Sequence, residues 1–273
     1  MTGTHTASDG YAFAYRHYPA IGLPRARLIC LHGIQSHAGW YETSCTALAG
    51  LGYEVYFLDR RGSGANALRR GDTPSYTRLI DDVAEFVQTL PPDLPRVLLA
   101  ISWAGKVAVA LQRRHPGLVA GQVLLCPGLR PKIAPPALTR LRIAGASLVA
   151  PTRMFPIPLN NPELFTKTPR WLEFLRRDPL ALHQATARFL AASFWLDREL
   201  RLCPKHVTIP TLLLLAERDA IIDNFATARY VELFAGPVES IVYPGAEHTL
   251  EFEPEGPPFL EDVVWWLNRR GLS

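Results

Sequence analysis

The stretch Val97 to Lys106, reading VLLAISWAGK, constrains the fold more than any other. Its apolar, partly β-branched run to Ile101 has the pattern of a strand buried on both faces. Ser102 follows at once, and Trp103 to Leu111 reads as a helix with small residues at Ala104, Gly105 and Ala108. A serine on such a strand-to-helix turn sits in a tight bend, with its hydroxyl pushed out at the carboxyl end of the sheet. Strand and helix backbones cross closely there, so the bend needs small neighbours, here Ala100 and Ala104 with Gly105 beyond. A serine that merely caps a helix would look similar locally. Partners for a nucleophile further along the chain favour the sharper reading.

Before this turn, Tyr11 to Tyr18 alternates aromatic or apolar with small and polar residues, suiting an antiparallel strand at the sheet edge. Arg27 to Leu31 is a short buried strand running into His32-Gly33-Ile34. A loop leaving a strand tip beside a nucleophile can aim a backbone N–H at a developing oxyanion, and Gly33 permits the close approach. Ile34 N–H is therefore one candidate oxyanion donor, and Trp103 N–H the other. Alone, His-Gly would be only a strand-ending turn. Trp40 to Ala49 reads as a helix stopped by Gly50 and Gly52, and Tyr53 to Leu58 as the next strand. Asp59-Arg60-Arg61-Gly62-Ser63-Gly64 lacks the Lys-Ser/Thr of a P-loop and the third glycine of a dinucleotide fingerprint. It reads as a structural turn in which Asp59 bonds loop backbone. Ser75 to Leu90 is a helix stopped by Pro91-Pro92, and Gly121 to Cys126 is another strand. Alternating strands and helices with short links argue for an α/β architecture around a mostly parallel, doubly wound sheet.

The alternation breaks from Leu129 to Thr208, where 10 of the 24 prolines fall and no buried strand is evident. The segment holds 13 Lys and Arg against 5 Asp and Glu. We expect a helical lid over residues 129–208, inserted into a core made of residues 1–128 and 209–273. Its aromatics Phe155, Phe165, Trp171, Phe174, Phe189, Phe194 and Trp195 suit either a pocket or the interior of an ordinary helical lid. Strands resume with Pro210 to Leu215, followed by Ala216-Glu217-Arg218-Asp219. Then come a helix from about Asp223 to Phe234, a strand from Val238 to Tyr243, the loop Pro244-Gly245-Ala246-Glu247-His248 and a closing helix from Pro258 to Arg270.

Three loops at the carboxyl ends of expected strands thus offer Ser102, Asp219 and His248. A serine hydroxyl is a poor nucleophile at neutral pH, so an imidazole must take its proton. A carboxylate must then hold the ring in one tautomer and steady the imidazolium. Asp219 lies in the loop just beyond its strand. Its rivals are Asp223, placed to cap the next helix, and Glu217, placed to face solvent.

The order Ser, Asp, His, the His-Gly loop, the DRRGSG turn and the segment LLLLAERDAIID together resemble an α/β-hydrolase. HGIQSHAGWY, GYEVYFLDRRGSG and YPGAEHTLEFE are most similar to the monoacylglycerol lipase and lysophospholipase group of serine esterases. The turn Ala100-Ile-Ser102-Trp-Ala104 departs from that group's usual Gly-x-Ser-x-Gly. The resemblance implies a serine hydrolase of carboxylic esters with no metal or organic cofactor. Its substrate would be a small acyl ester or lipid, with His37, Tyr41, Trp171 and Trp195 as candidate substrate-binding residues. A hydrolase of peptides or of carbon–carbon bonds would use the same three residues. A ligand-binding receptor on the same scaffold is a further alternative. Haloalkane dehalogenases and epoxide hydrolases are disfavoured, because they carry aspartate at the position of Ser102.

A net charge of +4, from 29 basic and 25 acidic residues, is too mild to argue for nucleic acid, and no nucleic-acid-binding motif is present. The basic, aromatic lid raises instead the expectation of peripheral contact with an anionic membrane. The four cysteines, Cys30, Cys45, Cys126 and Cys203, are scattered without CxxC spacing, and the start MTGTHTASDG lacks the layout of a secretory signal. A cytoplasmic location with reduced thiols, and a monomer or dimer, are expected.

Overall fold

Apolar residues on both sides of a strand demand a layer on each side, and the arrangement follows from that. The computed structural model describes residues 1–273 and contains ten strands: β1 (Thr2–Thr6), β2 (Ala12–Tyr18), β3 (Ala26–Leu31), β4 (Tyr53–Leu58), β5 (Arg96–Ile101), β6 (Gly121–Leu125), β7 (Met154–Pro156), β8 (Gln184–Thr186), β9 (Thr211–Ala216) and β10 (Val238–Tyr243). Eight of them form one sheet in the order β1-β2-β4-β3-β5-β6-β9-β10. From β4 to β10 every neighbour is parallel. Strands β1 and β2 add an antiparallel ribbon.

Eight helices complete the fold: α1 (Glu42–Gly50), α2 (Tyr76–Thr89), α3 (Ala104–Arg114), α4 (Ala137–Val149), α5 (Pro169–Arg177), α6 (Ala187–Glu199), α7 (Asn224–Val231) and α8 (Leu260–Arg269). Side chains alternate along β5. Leu98 and Ala100 enter one core with α2, α3 and α7, while Val97, Leu99 and Ile101 enter a second core with α1 and α8. The two cores hold 38 and 34 buried residues, so neither face of the sheet is left open. The α/β-hydrolase architecture expected from the sequence is present. None of the helices is long and apolar enough to cross a membrane.

Two local expectations are corrected. Strand β2 is not at the edge, because β1 pairs outside it from Thr2 opposite Arg16 to Thr6 opposite Ala12. The sequence THT carries no apolar signal, and its residues alternate between exposed and half-buried. The segment between β6 and β9 is also not free of strands. There β7 and β8 pair antiparallel, but each is only three residues long, too short for a hydrophobic pattern.

The residues of that segment divide between the two large cores. Ile157, Leu182, Phe189 and Leu196 join the first, and Phe165, Leu175 and Ala181 join the second. Only Ile143, Ala146, Phe155 and Ala187 make a separate cluster. Polar ties add to this: Leu182 N–H donates to Gln35 O at 2.9 Å, and Arg188 pairs with Asp72.

Helix α1 is capped from the far end of the chain. Tyr41, preceding it, offers no side-chain acceptor, and the Glu251 carboxylate accepts from Ser44 N–H at 3.0 Å instead. Burial pushes the Glu251 carboxyl up to about 7 despite bonds from the Ser44 and Thr43 amides. Its second oxygen has no partner. The group therefore binds its proton more tightly folded than unfolded. Its contribution to stability is complete below its unfolded range near 4.5 and is lost as pH rises through about 7. Glu251→Gln should raise Tm at about pH 8.5 and leave it nearly unchanged at about pH 5, read by thermal melts at both values.

Candidate active site

The turn after β5 is held in a conformation that costs energy. Ser102 has φ +52°, in the left-handed region, which for a non-glycine residue costs about 1–3 kcal/mol. Its backbone is fixed on every side: Ser102 N–H donates to Leu125 O at 2.9 Å, and its carbonyl accepts from Gly105 N–H at 2.9 Å and Gly128 N–H at 2.7 Å. A Cβ on Gly105 would lie 2.5 Å from Pro127 Cβ, and one on Gly128 would lie 3.1 Å from Trp103 Cα. The closest approaches thus fall at Gly105 and Gly128, in the crossing between this turn and the one after β6.

The structure brings Ser102, Asp219 and His248 together. His248 Nε2 lies 2.9 Å from Ser102 Oγ, and His248 Nδ1 lies 2.7 Å from Asp219 Oδ2. The other carboxylate oxygen, Oδ1, accepts from Ile221 and Ile222 N–H, both at 2.8 Å. Burial pushes the Asp219 carboxyl up, but attraction and hydrogen bonding to His248, joined by the two amides, more than offset this and hold it below the usual carboxylate range. An ionised Asp219 accepts only, so Nδ1 carries the ring proton and Nε2 faces the serine as an acceptor. The rival carboxylates are occupied elsewhere. Asp223 caps α7 through Ala226 N–H at 2.9 Å, and Glu217 accepts from Gly245 N–H at the surface.

Gly33 brings the loop after β3 against the serine, since a Cβ there would lie 3.2 Å from Ser102 Cβ. Neither Ile34 N–H nor Trp103 N–H donates to any group of the protein. Both are therefore free to donate to a ligand oxygen. The Cys126 thiol adjoins Asp219 and His248, with ligand-type atoms of the three within 4.8 Å of one another. Burial, and next the neighbouring Asp219, push this thiol well above its ordinary range. It is thus held protonated beside the two triad side chains.

A cavity of about 10 Å³ adjoins Ser102, lined by Gly33, Ile34, Gln35, Ser36, Trp40, Tyr41, Ile101, Leu159, Phe165, His248 and Thr249. Among the candidate substrate-contacting residues only Tyr41 borders it. His37 is turned away and latches the loop to the inserted segment: Nδ1 accepts from Gly39 N–H at 3.0 Å and Nε2 meets Asp178 Oδ2 at 3.0 Å. Trp171 stacks on Phe252 with ring centroids 4.5 Å apart. Trp195 is 53% exposed, beside Phe194. A bulky aromatic in a helical insertion says little about which face it occupies, and here these side chains pack or face outward. Sequence reasoning missed Gln35, Ser36 and Trp40, which HGIQSHAGWY itself could have indicated, and Leu159, for which no signal existed. A larger cavity of about 40 Å³, lined by Phe13, Asp82, Trp103 and Val107 among others, includes none of the three convergent residues.

A mostly parallel sheet that presents serine, aspartate and histidine from three loops beyond its strands defines an α/β-hydrolase. The chain belongs to the family described as serine aminopeptidase, S33, whose profile matches residues 22–255. It is 26% identical to a monoacylglycerol lipase of Mycolicibacterium smegmatis over 253 residues, covering 89% of this chain and 88% of that one. It is also 26% identical to the human monoglyceride lipase over 274 residues, covering 96% and 89%. A soluble variant of the Saccharomyces cerevisiae monoglyceride lipase, solved with a substrate analogue, superimposes with a TM-score of 0.85 at 19% identity, covering 98% of this chain and 94% of that one. The resemblance to the monoacylglycerol lipase group thus holds over nearly the whole chain.

The two neighbouring aspartates give a discriminating pair. Asp219→Asn should lower kcat by roughly 10⁴-fold, because the histidine loses the acceptor that sets its tautomer. Asp223→Asn should leave kcat within error and shift only stability, by less than about 1 kcal/mol, since asparagine also caps. Parallel kinetics and melts of the two variants check both outcomes.

Proposed function

We propose that the protein is a carboxylic ester hydrolase acting through an acyl-enzyme on Ser102. The observation that carries this reading is the Ser102–His248–Asp219 relay opening onto a cavity lined by no Asp, Glu, Lys or Arg side chain. In this reading Ser102 Oγ attacks the acyl carbon while His248 Nε2 takes its proton. The Ile34 and Trp103 amides receive the oxyanion. Collapse of the tetrahedral intermediate expels the alcohol, which takes the proton back from His248. Water, deprotonated by the same nitrogen, then frees the acid.

The lining also argues about substrate. An aminopeptidase must neutralise the ammonium of its substrate, and the cavity beside Ser102 offers no carboxylate to do so. Neutral acyl esters such as monoacylglycerols fit better, in keeping with what the relatives' names say of them. Residues 129–208 act as the lid in this reading, with Leu159 and Phe165 closing the cavity beside the serine. The cavity is narrow, and in this reading these side chains shift to admit the acyl chain. Four cysteines, all buried and unpaired, support a reducing, cytoplasmic location.

Ser102→Ala should reduce turnover of a monoacylglycerol or a short-chain aryl ester by several orders of magnitude with Tm preserved. Full activity in that variant overturns the mechanism, and a preference of the wild type for aminoacyl amides over esters overturns the substrate class.

A second reading concerns helix α4. Leu138, Leu141, Leu148 and Val149 are exposed there, Leu148 and Val149 at 85% and 86%, beside Arg140 and Arg142. An apolar face flanked by arginines suits shallow contact with an anionic bilayer. Leu148→Asp with Val149→Asp should abolish sedimentation with phosphatidylglycerol vesicles while sparing hydrolysis of a soluble ester. Equal sedimentation of the variant and the wild type would refute the contact.

A further inference from the structure

Arg60 is a half-buried cation that the reaction scheme leaves without a task. It follows β4 in the turn Asp59-Arg60-Arg61-Gly62, and its guanidinium is aimed at the loop after β3. Nη1 donates to Gly33 O at 3.1 Å and Nη2 to Ile34 O at 3.0 Å. The same group lies 4.9 Å from the Trp103 ring centroid and 5.0 Å from that of Phe189. Burial lowers its pKa to about 9, with Asp59 opposing, so it remains charged at neutral pH.

His32 joins this arrangement. Its Nε2 accepts from Arg60 N–H at 2.9 Å, which leaves Nδ1 as the protonated nitrogen, and Nδ1 donates to Gly33 O at 2.7 Å. Burial, reinforced by the charge of Arg60, keeps the imidazole neutral by driving its pKa well below the ordinary range. Gly33 O thus accepts two hydrogen bonds, one from a cation.

The consequence lies in a single peptide unit. The carbonyl of Gly33 and the N–H of Ile34 belong to the same planar amide, in which the two bonds point in opposite directions. Fixing the oxygen fixes where the N–H points. Withdrawing electron density through the oxygen makes that N–H a stronger donor, as hydrogen bonds in series polarise one another. The other face of the guanidinium packs on the side chain of Trp103, the residue that supplies the second free amide. Arg60 therefore holds the peptide of the Ile34 donor directly and packs on the side chain of the residue that supplies the other donor, and it does not line the cavity beside Ser102.

We propose that Arg60, with His32, is a positioning residue that presets and polarises the oxyanion site. This rests on the ester-hydrolase reading above and assigns a residue to it. Charge developing on the substrate oxygen is answered by an amide already oriented and already polarised, so the benefit falls on the transition state rather than on substrate binding.

The test compares wild type, Arg60→Met and Arg60→Lys with a soluble aryl ester and a trifluoromethyl ketone, whose serine adduct places an oxyanion in the site. Loss of a whole oxyanion donor costs about 10²- to 10³-fold in kcat, and weakening one should cost roughly 10- to 100-fold in Arg60→Met, with KM changed by less than about threefold. Affinity for the trifluoromethyl ketone should fall by the same factor as kcat. Lysine keeps the charge but cannot hold both carbonyls as a planar fork, so Arg60→Lys should fall between the two. Should Arg60→Met fail to fold, Arg60→Lys carries the test through the parallel fall in kcat and ketone affinity. Wild-type kcat in Arg60→Met overturns the assignment. So does a loss in which KM rises while ketone affinity stays constant. A wild type that neither hydrolyses the ester nor reacts at Ser102 with a fluorophosphonate would instead overturn the ester-hydrolase reading, a separate outcome.

Discussion

The site depends on one constrained peptide, the left-handed residue between β5 and α3. A serine in that conformation is unfavourable in isolation, and two backbone hydrogen bonds from the β6 side, with a third from Gly105 in α3, hold it there. The parallel arrangement of β5 against β6 is what places Leu125 O within reach of Ser102 N–H, and Gly128 N–H within reach of Ser102 O. The strain is thus carried by the sheet itself. The same carboxyl edge presents Asp219 beyond β9 and His248 beyond β10, neighbouring strands that run parallel with Val238 opposite Thr211.

Around this edge the protein uses buried polar groups to fix loops rather than to add net stability. Asp59 accepts from Ala38 N–H at 2.8 Å and Ala65 N–H at 2.9 Å, joining the loop after β3 to the loop after β4. Asp178 accepts from Trp40 Nε1 at 2.6 Å and meets His37, tying the first of these loops to the inserted segment. Burial alone would raise the Asp178 carboxyl, yet His37, Trp40 and the Leu180 amide bring it below its usual range. Such groups are costly when unpaired and orienting when paired.

Much of this was legible in the sequence, for identifiable reasons. The strands β3, β4, β5, β6 and β9 are nearly continuous apolar runs, because both faces are buried, and each was readable from that pattern. The convergence of Ser102, Asp219 and His248 was legible because the first two follow such strands and His248 follows the more polar β10 in a glycine-containing loop, and the Asp59 turn because a glycine-rich bend needs an acceptor for its amides. The ribbon strand β1 was hidden because its own residues, TGTHT, are polar or glycine and carry no apolar alternation. The orientations of His37, Trp171 and Trp195 were hidden because hydrophobicity says that a ring packs, not against what. The inward direction of the Arg60 guanidinium was hidden for a related reason: two arginines in a structural turn give no sign of which carbonyls face them.

The inserted segment has almost no interior of its own. Phe189 and Leu196 are completed by the helices on one face of the sheet, and Phe165 and Leu175 by those on the other. A segment of this kind is not an interchangeable cassette. Replacing it with a relative's would strip both layers of partners at once, leaving voids whose cost grows with their volume. The segment and the sheet are therefore bound to diversify together, and recombination that respects only the sequence boundary between them would yield chimaeras that melt early.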